Sequence, residues 1–256
     1  MIGTAELRLS AAAGAPDFRL DIGATVRALA LAVVDVQAAS FAGAYLRLRA
    51  GVPREAEPLA FEHLSRVTKC LLKFDVGGEQ TVGAWLSTVL LLLCALVLLH
   101  IGTLKRHQGA AYARHWLALG IIFCGLSLDE AVSIHEMTIK PLHDLLGTSG
   151  IFLYAWVIPG LAFVAGVGIA YLGFLRHLEP AFRIRFLLAG ALFVGGAVGF
   201  EMLEGALADF YAHHALIREI AFHVEDGAES AGELLFLYSL LAYVLRYQRD
   251  LIIPLK

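Results

Sequence analysis

The sequence predicts an all-α protein, a polytopic transmembrane helix bundle with five clear spans and one further candidate span near the amino terminus. The first reason is composition. The 256 residues are 59% hydrophobic and 17% charged, with a mean hydropathy of +0.71. That is more apolar than a soluble chain, which must cover its surface with charge. The second is the presence of stretches of about 20 apolar residues, each long enough to cross the hydrocarbon as a helix. The third is where the acids fall, at the ends of those stretches.

In chain order, the amino-terminal region 1–80 holds the candidate span at about 28–46, interrupted by Asp35 and Gln37. It reads either as a span or as an interfacial amphipathic helix. The bundle proper, 81–256, holds spans at about 82–101, 117–136, 151–175, 184–205 and 229–247. Met1 to Leu20 shows no basic cluster, apolar core and cleavage site in series, so no signal peptide is expected. Lys105, Arg106 and Arg114 lie between the first two clear spans, and Arg176, Arg183 and Arg185 between the third and fourth. Arg246, Arg249 and Lys256 follow the last span. The positive-inside rule places these three segments in the cytoplasm, with the carboxyl terminus inside. Six spans are favoured, because five would leave about eighty amino-terminal residues to be exported. Against this, Arg47, Arg49 and Arg54 then sit outside. Trp85, Trp116 and Trp156 are expected in the headgroup zone. Gly195 with Gly199, and Ala162, Gly166 and Ala170, are expected to pack helices closely.

This topology gathers ten ionisable side chains near the outer face: Asp129, Glu130, His135 and Glu136; Glu201 and Glu204; Glu225, Asp226, Glu229 and Glu233. No lysine or arginine lies inside the same apolar segments, so burial must be offset by protons, water or a bound cation. At 100° per residue, Glu225, Glu229 and Glu233 form one stripe. Glu201 and Glu204 share a face, as do Asp129, Ser133 and Glu136. Stacked carboxylates repel one another, and a polyvalent cation relieves that repulsion.

Carboxylates from several helices joined by a histidine suit iron, manganese or zinc. The candidate ligands are Glu130, His135, Glu136, Glu201, Glu204, Glu229, Glu233 and His223, with Asp129 or Glu204 as a base beside the metal. The Glu-x-x-His spacing of di-iron bundles is absent, and Ile139 breaks the His-Glu-x-x-His pattern of zinc proteases. Cys70, Cys94 and Cys124 are too scattered for a thiolate site. Several of the groups have an ordinary alternative role. Glu225 and Asp226 read as solvated loop acids favouring a helix amino terminus, and Glu136 as an interfacial acid. His143, Asp144, His213 and His214 read as surface residues, which leaves His223 as the one outer-loop histidine near the acidic stripe.

The run Ser127 to Glu136 (SLDEAVSIHE), Tyr154 to Pro159 (YAWVIP) and the Glu-rich start of the last span resemble a group of uncharacterised bacterial multi-pass membrane proteins, over about residues 74–247. The resemblance implies an inner-membrane protein and no activity. A net charge of −3 and scattered basic residues exclude nucleic acid as a partner. The expected function is a carboxylate and histidine metal site near the periplasmic face, in a metal-dependent membrane enzyme acting on a lipid-soluble substrate. The rivals are a cation or proton transporter, and a non-catalytic subunit of a larger membrane complex. Membrane lipids, other membrane proteins or further copies of the chain are the expected partners.

Overall fold

The computed structural model describes residues 6–10, 18–54, 56, 58–247 and 251–252. Residues 1–5 and 11–17 of the stretch read for a signal peptide, and Arg249 and Lys256 of the basic tail, lie outside the described residues. Two strands, β1 (Glu6–Ser10) and β2 (Phe18–Asp21), pair antiparallel ahead of α1 (Ile22–Arg49). Short helices α2 (Pro58–Glu62) and α3 (Arg66–Leu71) and a 3-10 turn at Leu72–Phe74 lead to α4 (Val82–His107) and α5 (Ala113–Val132). Next come α6 (Ile134–Leu146), a 3-10 turn at Gly150–Phe152, α7 (Val157–His177) and α8 (Pro180–Val194). A π-helical segment, Gly195–Phe200, joins α8 to α9 (Glu201–Ala206), and α10 (Ala208–His213) and α11 (Ala215–Tyr247) follow. The chain returns as β3 (Leu251–Ile252), parallel to β1, so the small sheet draws both ends of the chain together.

Among the described residues, six helices are long and apolar enough to cross a membrane: α1, α4, α5, α7, the continuous α8 to α9 and α11. The candidate span at 28–46 is thus part of a 28-residue helix. Asp21 caps it, accepting from the Ala24 N–H at 3.0 Å. Thr81 does the same for α4. An even number of such helices returns the chain to its starting end, which agrees with the pairing of β1 and β3.

The core sits towards the end that carries the termini. Leu98, Ile101, Trp116, Phe174, Phe182, Phe186, Leu240 and Tyr243 are buried there. Helices α4 and α5 form a tight antiparallel pair, with Gly102 and Gly120 letting Leu117 and Leu99 come close. Helices α8 and α11 approach at Gly232, where an added Cβ would meet Phe193 N at 2.7 Å and Ala189 O at 2.8 Å.

Three expectations are corrected by this packing. Gly195, Gly199 and Gly166 have nothing within 4 Å of an added Cβ, whereas Gly196 lies against Glu229. The π segment turns Gly196, and not its neighbours, onto α11. Trp116 is not in an interfacial belt but is 2% exposed, its ring 4.9 Å from Phe174 and 4.8 Å from Tyr243. Arg47 and Arg54 are not free outer charges. Arg47 donates to Glu219 at 2.6 Å, and Arg54 donates to Glu219 at 3.2 Å and to Asp75 at 2.7 Å. Charges so paired within the protein offer no net positive field against the topology, which leaves the exposed Arg49 as the one of the three that counts against it.

Candidate functional site

A cavity of about 780 Å³ opens at the end of the bundle away from the termini, within the usual size of a ligand pocket. All ten ionisable residues singled out from the sequence line it, and so does an eleventh, Glu79. The cavity therefore presents ten carboxyl groups and one imidazole, and among the described residues no lysine or arginine lines it.

Helix α5 supplies Asp129 and Glu130, and the helix stops three residues later. Ser133 takes the left-handed conformation (φ 54°, ψ 47°), and α6 restarts at Ile134. The expected single span at 117–136 is thus two helices, and Asp129, Ser133 and Glu136 do not share a helical face. The cause is local. The Asp129 carboxylate accepts from the His135 N–H at 2.9 Å and bonds the His135 Nδ1 at 2.8 Å, competing with the continuing helix ladder. Ser133 itself donates to Glu79, tying the break to the segment ahead of α4.

The pair Asp129–His135 fixes the imidazole by one nitrogen and leaves Nε2 for other use. Burial alone would lower the His135 pKa, but the Asp129 carboxylate outweighs it, with help from Glu201 and Glu136, and the pKa is raised above the ordinary histidine value. Glu136, on the exposed side of α6, is raised by partial burial and by Glu79.

The π segment delivers Glu201 and Glu204. Trp156 Nε1 donates to Glu201, and the Tyr154 hydroxyl donates to Glu204 Oε2 at 3.3 Å. Burial, then Glu204 and Glu201, push the Tyr154 phenol well up, so it remains a donor. The second Glu204 oxygen, Oε1, is buried with no hydrogen-bond partner.

Helix α11 supplies Glu225, Asp226, Glu229 and Glu233. It begins at Ala215, so Glu225 and Asp226 are mid-helix groups and not solvated loop acids as the sequence suggests. Asp226 accepts from Gln37 Nε2 of α1 at 2.6 Å. Glu233, 2% exposed, accepts from Ser87 Oγ of α4 at 2.6 Å, and its Oε2 is buried without a partner. Glu229 lies within electrostatic reach of Glu225, Glu130, Asp226 and Glu233, and Glu201 within reach of His135, Glu204 and Glu136. Two groups of acids result, a deep one around Glu229 and a shallower one around His135.

The histidine suggested as an outer ligand is placed elsewhere. The His223 ring packs edge-on to Phe41 of α1 at 5.3 Å, its Nδ1 meets the Glu219 carbonyl at 2.6 Å, and it does not line the cavity. Sequence reasoning missed three participants. Glu79 lies three residues ahead of the apolar run from Val82, the same signal that marked the other acids. Tyr154 and Trp156 were noted for their position and not as donors. Among the described residues, no three His, Cys, Asp or Glu side chains converge as a ready-made metal cluster.

Fold and site together define a polytopic helical membrane protein with an acid-lined chamber within the bundle. Residues 26–244 match the DUF8692 family, a domain of unknown function, and the chain belongs to that family. No curated protein and no solved structure matches it.

Proposed function

We propose that the acidic end of the chamber binds a divalent metal ion (iron, manganese or zinc) and that the protein is a metal-dependent membrane enzyme acting on a lipid-soluble molecule. The observation that carries this is a pair of buried carboxylate oxygens. Among the described residues, Glu233 Oε2 and Glu204 Oε1 have no hydrogen-bond partner, in a cavity lined by ten carboxyls and no arginine or lysine, and of the two carboxylates Glu204 alone lies within reach of arginine charge, that of Arg218 and Arg54. An unpartnered carboxylate so placed needs a cation or a proton. The Asp129–His135 pair adds to this, since a metal-binding imidazole normally has its other nitrogen held by a carboxylate.

In this reading Glu201, Glu204, Glu136 and His135 form the shallow ligand set and Glu130, Glu229 and Glu233 the deep one. Asp129 positions His135, and Glu204 serves as a base. The metal would act as a Lewis acid or redox centre. Because no ready-made cluster exists among the described residues, binding must draw carboxylates inward, and their mutual repulsion supplies the tendency to accept a cation. The distribution of arginine and lysine supports an orientation with the chamber on the outer side and the carboxyl terminus in the cytoplasm; in a bacterial inner membrane, the setting the resemblance implies, that outer side is the periplasm.

The test is elemental analysis of the purified chain beside the Glu201→Gln, Glu229→Gln double variant, with thermal melting as a check on folding. Wild type is expected to carry near-stoichiometric metal and the double variant to lose most of it. Equal metal in both, or none in either, overturns the proposal.

A further inference from the structure

The chamber has a second half that the acids do not use. Beyond Glu233 its lining turns apolar, and it runs between α5, α7 and α8 down to Phe174, Leu175 and Phe186. From Gly160, beside Trp156 at the acidic end, to Leu175 at the floor, both lining residues of α7, the chamber from acids to floor measures about 22 Å at 1.5 Å per residue. One leaflet of hydrocarbon is only about 15 Å deep, half of roughly 30 Å. A full hydrocarbon chain therefore fits along it.

The arm is also open sideways. Helices α5 and α7 are joined at the terminal end of the bundle by Trp116 against Phe174, with ring centroids 4.9 Å apart. At the acidic end the bridge passes through α6, which follows α5: His135 packs against Trp156, the residue ahead of α7, again at 4.9 Å. Between these two aromatic contacts the helices scarcely touch. Phe163 and Gly168 both line the cavity and are exposed, so its wall there is a gap facing the surroundings of the bundle.

We infer that the chamber takes a single-chain amphiphile from the surrounding lipid through the gap between α5 and α7. Its hydrocarbon chain lies along the apolar arm, and its hydrogen-bond-donating, non-anionic head, an amine or a hydroxyl, lies among the acids. The head chemistry follows from charge. Ten carboxyls with one imidazole repel a phosphate or sulfate head even with one divalent ion bound at the shallow set, whereas an amine or hydroxyl donates to the unpartnered Oε2 of Glu233, where the acidic lining meets the apolar arm. The inference names the substrate class of the site proposed above, but the arm and the gap do not depend on the metal.

The test uses the full chain in phosphatidylcholine vesicles and a C16 primary amine carrying a photoactivatable group at the far end of its chain. Labelling is mapped by peptide mass spectrometry, and metal content is measured on the same samples. Labels are expected at the floor, on Phe174 and Phe186, with competition by hexadecylamine and hexadecanol and none by hexadecyl sulfate or butylamine. An added Cβ at Gly168 meets nothing within 4 Å, so Gly168→Leu narrows the arm without disturbing the backbone. It is expected to cut floor labelling about tenfold, the equivalent of roughly 1.4 kcal/mol. Labels confined to outward-facing residues, or equal competition by the sulfate, overturn the inference. Floor labelling without bound metal retains the arm and removes the metal reading; bound metal without floor labelling does the reverse.

Discussion

Breaking the ion-pair group that fastens α1 to α11 should produce a graded loss of stability. Glu219 is 1% exposed and receives Arg47 at 2.6 Å and Arg54 at 3.2 Å. Removing one partner of a buried pair costs about 3–5 kcal/mol, because the survivor stays buried and uncompensated. Glu219→Ala leaves the Arg47 guanidinium, 2% exposed, with only the Val52 carbonyl at 3.4 Å among the described residues, and belongs at the upper end, about 5 kcal/mol. Arg47→Ala leaves Glu219 with Arg54 and belongs near the lower end, about 3 kcal/mol. Arg54→Ala removes a side chain that is 17% exposed and leaves the shorter bond intact, so about 1.5 kcal/mol is expected. The double variant Arg47→Met, Glu219→Leu removes both buried charges and should lie closer to wild type than either single change. Reversible unfolding of the purified protein in mixed micelles, titrated with sodium dodecyl sulfate, measures all four. Glu219→Ala within 1 kcal/mol of wild type, or a double variant as unstable as the two singles summed, refutes the reasoning.

Two further outcomes follow from particular positions. Gly232→Ala places a Cβ against the α8 backbone and should cost about 1–3 kcal/mol, whereas Gly195→Ala, with open space around it, should be neutral or mildly stabilising, both read in the same unfolding assay. His135 has a raised folded-state pKa, so its stabilising contribution is fully present below the unfolded histidine value and is lost as pH rises through the folded value. Imidazole NMR of the full chain should place its titration above the usual histidine range, and Asp129→Asn should bring the midpoint down; an unmoved midpoint contradicts the pairing.

The spans and the collection of acids were legible because hydropathy and helical period act locally. Apolar length marked α4, α5, α7, α8 and α11, and the alternating directions of those helices brought Glu130, Glu201 and Glu229 to one end. Two departures from regular helix were not legible. The stop at Ser133 depends on the Asp129 side chain reaching past the helix to His135, a contact that spacing alone does not announce. The π segment at Gly195–Phe200 shifts which glycine meets α11, so the small-residue spacing pointed to Gly195 and Gly199 when Gly196 makes the contact. Both irregularities stand beside the acids, where a regular helix would present different side chains to the cavity.

The same partial legibility explains the doubtful first span. Asp35 and Gln37 interrupt the apolar stretch of α1; Asp35 is exposed, but Gln37, like Arg47 near the helix end, faces a polar group on α11. Gln37 meets Asp226, Arg47 meets Glu219, and Phe41 between them meets His223. Positions 219, 223 and 226 recur at four- and three-residue intervals, a second polar stripe on α11. Glu225, Glu229 and Glu233 form the stripe that looks into the chamber. One helix therefore carries two polar rows, which differ at their outer ends: Glu219 has arginine partners, whereas Asp226, bonded by the neutral Gln37, lines the chamber with the other row. Arg47 and Arg54 neutralise Glu219 on the α1 side, and no arginine or lysine among the described residues lines the chamber. Glu204 at the shallow end of the chamber lies within reach of the Arg218 and Arg54 charges, whereas among the described residues no basic group is found acting on the deep acids Glu229 and Glu233. What balances the deep acids must then come from protons, from water or from a bound cation, and the unpartnered Oε2 of Glu233 marks where it would act.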